Sequence, residues 1–271
     1  MLDTSRPIAD YEPIEELGRG SHGECIVARP PSRLGLAGDR VVLKVHATAA
    51  GPDARRRVAD ELRQISSVEA PSLVALLDAG HQDGTIFTVT ELCAGGSLAR
   101  PATAPTRAQT LRAVADAARG AHALHEAGIA HRAIKPSNVM LDGAGGKLAD
   151  VGLAHLLAPG QTVTGIGPVG AMEFTEPGAL LGRPAGRASD IWALAVTLHR
   201  SLTSASVFGE LPTESVFAAL RHVLETPPAL ADGLSDEEAE LISWCLSAER
   251  ADRPATAELL AGELDRLAAT T

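Results

Sequence analysis

The first third of the chain alternates hydrophobic and polar positions at the two-residue period typical of β-strands. Between residues 11 and 92 the runs are rich in β-branched residues, and Gly, Pro and Asp turn signals separate them: IEELG, ECIVARP, RVVLKVHA and TIFTVTEL. One stretch at residues 53–68 has helical spacing instead, and it begins after Pro52, a helix start signal. Its apolar stripe consists of Val58, Leu62 and Ile65. The pattern predicts a small sheet interrupted by a single helix.

The rest of the chain changes to the 3.6-residue period of amphipathic helices. The pattern predicts helices at residues 106–127, 188–202, 214–224, 236–246 and 255–267. Between residues 150 and 177 the periodicity is weak and Gly, Pro and Thr are frequent, and loops of that length are usually functional or disordered. The change from sheet to helix falls at Ala94-Gly95-Gly96. We therefore expect one domain over residues 1–271, with an N-lobe at 11–92, a hinge at 93–96 and a C-lobe at 97–271.

The composition excludes several classes of partner. With 34 acidic and 24 basic residues the formal charge is -10, so nothing supplies the phosphate neutralisation that nucleic-acid binding requires. The three cysteines are scattered and lack metal-ligand spacing, which favours reduced thiols. No apolar run reaches the ~18 residues that a membrane helix needs, and the first residues do not resemble a signal peptide. We expect a cytoplasmic protein that inserts no segment in a membrane and binds no nucleic acid.

A glycine-rich motif, GRGSHG, occupies residues 18–23 between two predicted strands. The dinucleotide-binding version of such a motif opens into a helix, so the strand-to-strand context favours a hairpin that covers phosphates. The alternative is that these glycines only supply the positive φ angles of a turn.

Lys44 ends the apolar run VVLK, where an ordinary solvated lysine is the alternative to a functional one. Glu61 lies in the middle of the predicted helix and would give Lys44 an anionic partner if the helix docks on the sheet. Taken alone, Glu61 is equally typical of an exposed helix surface.

The most specific signal is the segment HRAIKPSNVML at residues 131–141, followed by KLADVG at 147–152. Here the chain resembles the protein kinase family, whose catalytic loop reads HRDxKPxN and whose metal loop reads DFG. Order and spacing match except at Ala133 and Val151. With SDIW at 189–192 and DRP at 252–254, the resemblance covers residues 11–268 and is strongest to bacterial serine/threonine kinases. It implies an α+β, two-lobed kinase fold with a small, mostly β N-lobe containing one helix and a larger, mostly α C-lobe.

The resemblance also implies ATP and Mg²⁺ as ligands and assigns a role to each matching position. The phosphates would contact Gly18, Gly20 and Gly23, Lys44 held by Glu61, and Lys135 at the γ-phosphate. The metal ligands would be Asn138 and Asp150. The adenine pocket would have Cys25 and Val42 as its roof, Thr90 behind, Met140 beneath, and Glu91 to Cys93 as its hinge.

The departures from the family pattern cluster at the phosphoacceptor end. Ala133 replaces the aspartate that accepts the proton of the substrate hydroxyl, and a methyl group cannot accept a proton. Ala171 stands where the family has a threonine, and Gly178 stands where it has the glutamate of the APE motif. We therefore expect Arg253 to lack its usual carboxylate partner, and the activation segment to be anchored differently or more loosely.

Three functions remain open at this stage. The first is an ATP- and Mg²⁺-binding pseudokinase that regulates or scaffolds serine/threonine kinase signalling through a protein partner. The second is a slow or partner-activated serine/threonine kinase, and the third is a phosphotransferase acting on a small molecule. Thr162 and Thr164 would be phosphosites paired with Arg132, or ordinary polar residues of the loop.

Overall fold

The structure is a computed structural model that describes residues 7–20, 23–36, 38–49, 51–151, 153 and 169–271. The chain forms two compact units. In its described part the first unit comprises residues 7–67, 74–92 and Leu153, and the second comprises residues 68–73, 93–151 and 169–271. Thr162 and Thr164 lie outside the described residues.

The first unit is built on a five-stranded antiparallel sheet with the order β1-β2-β3-β5-β4. Its strands are β1 (Glu12–Gly20), β2 (Gly23–Arg29), β3 (Val41–Ala49), β4 (Leu76–Gln82) and β5 (Thr85–Thr90). A short 3₁₀ helix, Ser32–Leu34, connects β2 to β3. Successive side chains of a strand point to opposite faces, so each strand contributes to two layers.

Each face of this sheet has its own apolar cluster. On one face, Ile8 and Tyr11 pack against buried side chains of the strands. These are Ile26, Ala28, Val41, Leu43, Val45, Phe87 and Val89. Against the other face lies helix α1 (Pro52–Ser66), whose buried residues Ala54, Val58 and Leu62 pack with Ile86 and Leu153. The helical stripe predicted from the sequence is therefore the one that docks on the sheet, with Ile65 partly buried at its end.

The second unit is mostly helical. Its helices are α2 (Arg107–Glu126), α3 (Val169–Met172), α4 (Pro177–Leu180), α5 (Arg187–Thr203), α6 (Val216–Glu225), α7 (Asp236–Cys245) and α8 (Ala257–Thr270). Two 3₁₀ turns, Pro136–Asn138 and Arg250–Asp252, complete the helical elements of its described part. The five long helices that the periodicity predicts are all present, and their ends agree to within about three residues.

Capping explains where two of these helices begin. Thr106 and Gln109 form a reciprocal capping box before α2, and Ser235 and Glu238 form one before α7. Alanine makes up much of the buried face of α2: Ala113, Ala115, Ala117, Ala118 and Ala121 are all fully buried. These small side chains let α2 lie close to α8 and β9.

A small antiparallel sheet with the order β7-β6-β8-β9 lies against α2. Its strands are β6 (Gly96–Ser97), β7 (Arg100–Pro101), β8 (Val139–Asp142) and β9 (Gly145–Leu148). The candidate catalytic loop leads directly into β8, and the candidate metal loop follows β9. Among the described residues, no helix has both the length and the apolar character needed to cross a membrane.

Candidate active site

One face of the five-stranded sheet collects the site residues predicted in the first unit. The register pairs Cys25 with Lys44 across β2 and β3, and Val42 with Thr90 across β3 and β5. Directly paired residues share a face, so all four side chains lie on the face that α1 covers, opposite Leu43. Lys44 is partly buried there, and so is Glu61 on α1. The sheet therefore presents a lysine on the same face as the candidate adenine roof.

The three glycines of the motif lie in the antiparallel pair of β1 and β2, as the strand-to-strand context predicts, and Ser21 and His22 lie outside the described residues. Gly18 and Gly20 belong to β1, and Gly23 begins β2. Gly23 has a φ of 137°, and a Cβ at this position would lie 1.9 Å from the carbonyl oxygen of Val45. The backbone approach of β2 to β3 thus requires glycine at residue 23 whatever the motif binds, which the sequence alone does not reveal.

The chain leaves the first sheet through the predicted hinge. The backbone N–H of Glu91 donates to the carbonyl of Ala75, and its carboxylate accepts from the Ala75 N–H at 2.8 Å. Cys93 is buried. Gly96 has a φ of 75°, and a Cβ there would come within 2.4 Å of the Arg100 carbonyl oxygen. Close backbone packing therefore explains this hinge glycine.

The candidate catalytic loop is organised around the buried carboxylate of Asp190 at the start of α5. It accepts hydrogen bonds from the backbone N–H groups of His131 (2.7 Å) and Arg132 (2.8 Å). It also lies 2.8 Å from Nε2 of His125, whose side chain is buried on α2. A carboxylate bonded by two consecutive N–H groups fixes the backbone that bears the loop. Sequence analysis left His125 out of the site, since its contact is 65 residues away along the chain.

His131 links this loop to the segment before Asp150. Its Nε2 lies 2.9 Å from the Ala149 carbonyl oxygen, and its Nδ1 lies 3.3 Å from the Ala133 N–H. A carbonyl only accepts and an N–H only donates, so the neutral tautomer protonated at Nε2 satisfies both partners. Complete burial lowers the pKa of His131, which favours this same neutral form.

Asn138 closes the loop from the other end. Its side-chain Nδ2 donates to the Ala133 carbonyl at 2.7 Å, and its backbone carbonyl accepts from the Ala149 N–H at 2.8 Å. The side-chain Oδ1 is thereby the amide atom turned away from Ala133. Lys135 precedes the 3₁₀ turn that holds Asn138, and Met140 follows on β8 where it pairs with Ser97. Hydrogen bonds of the second unit thus connect Ala133, Lys135 and Asn138 with one another and with Ala149, the residue before Asp150.

Two residues of these loops have strained backbones. Arg132 has a φ of 64° and Asp150 a φ of 68°, in the left-handed region that disfavours residues with a Cβ. The carboxylate of Asp150 is exposed. Oxygen atoms of an exposed carboxylate and of an oriented amide are the ligands that Mg²⁺ prefers. In the described part of the chain no three His, Cys, Asp or Glu side chains lie together in a way that could hold a metal ion.

Comparison with known proteins identifies the family of this chain. A family model, the protein kinase domain, matches residues 11–264. The chain belongs to the protein kinase domain family. Members of this family normally use ATP and Mg²⁺.

The relatives of this kinase domain include bacterial serine/threonine kinases. It is 29% identical over 259 residues to the probable serine/threonine-protein kinase PkwA of Thermomonospora curvata, covering 94% of this chain and 34% of that protein. It is 31% identical over 255 residues to the DNA damage-responsive serine/threonine-protein kinase RqkA of Deinococcus radiodurans, covering 90% of this chain and 37% of the relative. The chain therefore spans about a third of the length of these two relatives.

Solved structures confirm the predicted two-lobed kinase fold. A crystal structure of the PknI kinase domain of Mycobacterium tuberculosis superposes with a TM-score of 0.70 at 22% identity, covering 98% of this chain and 99% of that chain. A second crystal structure of that domain gives a TM-score of 0.72 at 21% identity and covers both chains completely. At this identity the likeness shows the fold alone.

One prediction about the kinase domain is wrong: Arg253 does have a carboxylate partner. Its Nη1 donates to Glu176 at 2.5 Å, and Arg250 and the Ser189 hydroxyl bond the same carboxylate. Gly178 still lacks a side chain, but the glutamate two residues before it takes over the pairing. In its described part the segment is thus anchored through Glu176 to two arginines, Arg250 and Arg253.

The environment of Glu176 keeps it charged although its side chain is 1% exposed. Burial alone would raise the pKa of Glu176, but the hydrogen bonds from Arg250, Ser189 and Arg253 outweigh burial and lower it. Nearby, Glu173 is buried and forms a two-pronged ion pair with Arg200 of α5. This anchoring was not predicted from the sequence. The signal that could have indicated it is Glu176 itself, an acidic residue where the APE motif has alanine.

Proposed function

We propose that this protein kinase domain binds ATP with Mg²⁺ and acts as a catalytically impaired pseudokinase, regulating or scaffolding serine/threonine kinase signalling through a protein partner. The observation that carries the proposal is Ala133, a methyl group at the base position of a loop whose other fixed points are present. A general base typically raises the rate of the chemical step by ~10²–10⁴-fold, and phosphoryl transfer otherwise depends on positioning and electrostatics. Its loss leaves nucleotide binding possible and transfer slow.

The donor set fits the nucleotide and its metal. Asn138 and Asp150 would hold Mg²⁺, Lys44 and Lys135 would contact phosphate oxygens, and the β1–β2 glycines would cover the phosphates. Cys25, Val42, Thr90, Met140 and the hinge at Glu91 to Cys93 would surround adenine. Bound Mg²⁺ would neutralise the phosphate charge. The chain's own contribution is the orientation of Asn138 by Ala133 and of the Asp150 segment by His131.

Nucleotide binding is tested by calorimetric unfolding with ATP, with Mg²⁺ and with both. A ligand at ~100 times its dissociation constant stabilises the folded state by ~2.7 kcal/mol, so we expect a Mg²⁺-dependent rise in the unfolding temperature. Lys44→Met and Asp150→Asn should each remove most of that rise. An unchanged response in both variants would refute the proposed site.

Impairment is tested by radiolabelled phosphate transfer to a generic protein acceptor. Ala133→Asp should raise the rate by at least ~10-fold, because it restores a carboxylate to an organised loop. The intact loop also favours a second candidate, a slow serine/threonine kinase activated by a partner or substrate. Measurable transfer by the unaltered chain, lost in Asp150→Asn, would support that candidate over a pure scaffold.

A further inference from the structure

The loop around Ala133 is kept in a specific shape although the side chain that normally uses that shape is absent. Its backbone is fixed on both sides of Ala133 by Asp190 and by Asn138. It also retains left-handed backbones at Arg132 and Asp150, each of which costs on the order of 1 kcal/mol or more. Strain persists where the surrounding structure enforces it, and such enforcement clusters at working sites. The loop is therefore organised as if a carboxylate acted there.

The missing group is small and its place is accessible. Alanine differs from aspartate only by a carboxyl group on Cβ, so the atoms lacking at residue 133 correspond in size to formate. Ala133 is partly exposed and its neighbour Arg132 is exposed, whereas His131 and Ile134 are buried. A carboxylate brought by another molecule can therefore approach this position from solvent.

The charge around the loop does not repel an incoming carboxylate. Residues 131–138, HRAIKPSN, include Arg132 and Lys135 and contain no acidic residue. His131 is neutral, so the segment carries a formal charge of about +2. In the family the aspartate of the loop offsets part of that charge. With the carboxylates of Asp190 and Asp150 beside it the loop is close to neutral. An aspartate at residue 133 would make it negative, so alanine there removes a repulsion that an incoming carboxylate would otherwise meet.

We propose that the catalytic base of this domain is supplied by its acceptor, a serine- or threonine-containing peptide with an aspartate or glutamate next to the hydroxyl. This inference rests on the ATP binding proposed above. The acceptor's carboxylate occupies the space beside Ala133 and has the same intrinsic basicity as the lost aspartate. The domain is then inactive toward neutral acceptors and active toward acidic ones.

The reaction balances with ATP as phosphoryl donor. The acceptor's hydroxyl proton passes to its own carboxylate, the hydroxyl oxygen forms a bond to the γ-phosphorus, and the bond from that phosphorus to the β–γ bridging oxygen breaks. ADP leaves with the bridging oxygen. The protonated carboxyl group then releases its proton to water, giving phosphopeptide, ADP and one proton.

The first arm of the test replaces the acceptor's carboxylate with free anions. Transfer from ATP to a neutral serine peptide is measured with added formate, acetate, nitrate or chloride at equal ionic strength. We expect formate to raise the rate by at least ~10-fold, acetate less because it is larger, and nitrate not at all because it has the planar shape but is not a base. Ala133→Asp should be fast without formate and indifferent to it. Equal rates in formate and chloride would overturn the proposal.

The second arm compares two matched serine peptides. One has Asp or Glu beside the serine, and the other has Asn or Gln at the same position. The acidic peptide should be phosphorylated at least ~10-fold faster by the unaltered chain, and Ala133→Asp should reduce or reverse that preference. Calorimetric titration without nucleotide gives an independent readout. The acidic peptide should bind Ala133→Asp more weakly than it binds the unaltered chain, because two carboxylates would then compete for one place.

The outcomes separate this inference from the proposed function. If ATP stabilises the chain but neither the anions nor the acidic peptide raises transfer, the acceptor-supplied base is wrong and nucleotide binding stands. If ATP does not bind, both fail together. Equal binding of the acidic peptide to the unaltered chain and to Ala133→Asp would likewise contradict the placement of its carboxylate beside Ala133.

Discussion

The buried carboxylate of Glu176 is held by two arginines and a serine. Its two oxygens accept from Arg250, Arg253 and Ser189, and Arg253 in turn stacks 4.9 Å above the ring of Trp192. A buried ion pair of this kind is costly to break, because removing one partner leaves the other charge buried and uncompensated. The residue therefore controls how the segment from α3 to α4 is held on the second unit.

Glu176→Ala should lower the free energy of unfolding by about 3–5 kcal/mol, measured by chemical denaturation. The matched control is Glu12→Ala, which removes the partner of Arg29 in an ion pair whose side chains are each 63% exposed. That change should cost less than ~1 kcal/mol. Similar losses in the two variants would contradict the role assigned to Glu176.

Two buried histidines make stability depend on pH. Burial lowers the pKa of His131 and of His199, and His199 is held by the Ala205 carbonyl on Nδ1 and the Ala231 N–H on Nε2. Both are neutral in the folded state, whereas an unfolded imidazole takes up a proton below pH ~6.5. Their contribution is therefore complete above that pH and is lost as the pH falls toward the lowered folded values.

We expect the denaturation midpoint to fall between pH 7.5 and pH 5.5 for the unaltered chain. His199→Gln should reduce that fall, because glutamine keeps a donor and an acceptor but does not titrate. His81→Gln, a change at an exposed position, should leave it as it is. A slope that His199→Gln does not alter would show that the histidine is not held in its neutral form.

At the scale of elements, two glycines inside helices differ in the space around them. Gly120 lies in α2, where an added Cβ would meet the Ser72 carbonyl oxygen at 2.7 Å. That oxygen also accepts from the Leu148 N–H, so α2, residues 68–73 and β9 converge at this point. Gly262 lies in α8, is exposed, and has open space around it.

Gly262→Ala should stabilise the protein by up to ~1 kcal/mol, because alanine has the higher helix propensity. Gly120→Ala should destabilise it despite the same gain in propensity, since the backbone at Ser72 cannot yield cheaply. Thermal unfolding of both variants tests this contrast. A stabilised Gly120→Ala would mean that the contact with Ser72 is looser than the structure has it.

The long elements could be predicted from the sequence and the short ones could not. Helices α2, α5 and α8 repeat their apolar positions over several turns, so their existence was plain. Strands β6 and β7 have two residues each, which is too few to establish any period. The catalytic loop was found because its residues are contiguous. The ion pair that holds the segment from α3 to α4 was not found, because Arg253 lies 77 residues from Glu176 and pairing at that distance leaves no local pattern.

At the scale of the whole molecule, the chain passes between its two units more than once. Residues 68–73 leave the first unit to join the second, and the chain returns for residues 74–92. Leu153 comes just after the candidate metal loop and is buried in the core of the first unit with α1. Sequence order predicted a sheet-rich part and a helical part, and this interleaving could not be foreseen because it depends on which core each short segment reaches.

The placement of aromatic residues gives each unit its own optical reporter. The only tyrosine of the chain, Tyr11, is buried in the first unit, and both tryptophans, Trp192 and Trp244, belong to the second. Long-wavelength excitation reaches indole rings alone, so tryptophan emission follows the second unit. Burial and the neighbouring Asp78 raise the pKa of Tyr11, so its phenolate absorption band in alkali appears only once the first unit opens. The melting of either unit can therefore be followed by light in the unlabelled protein.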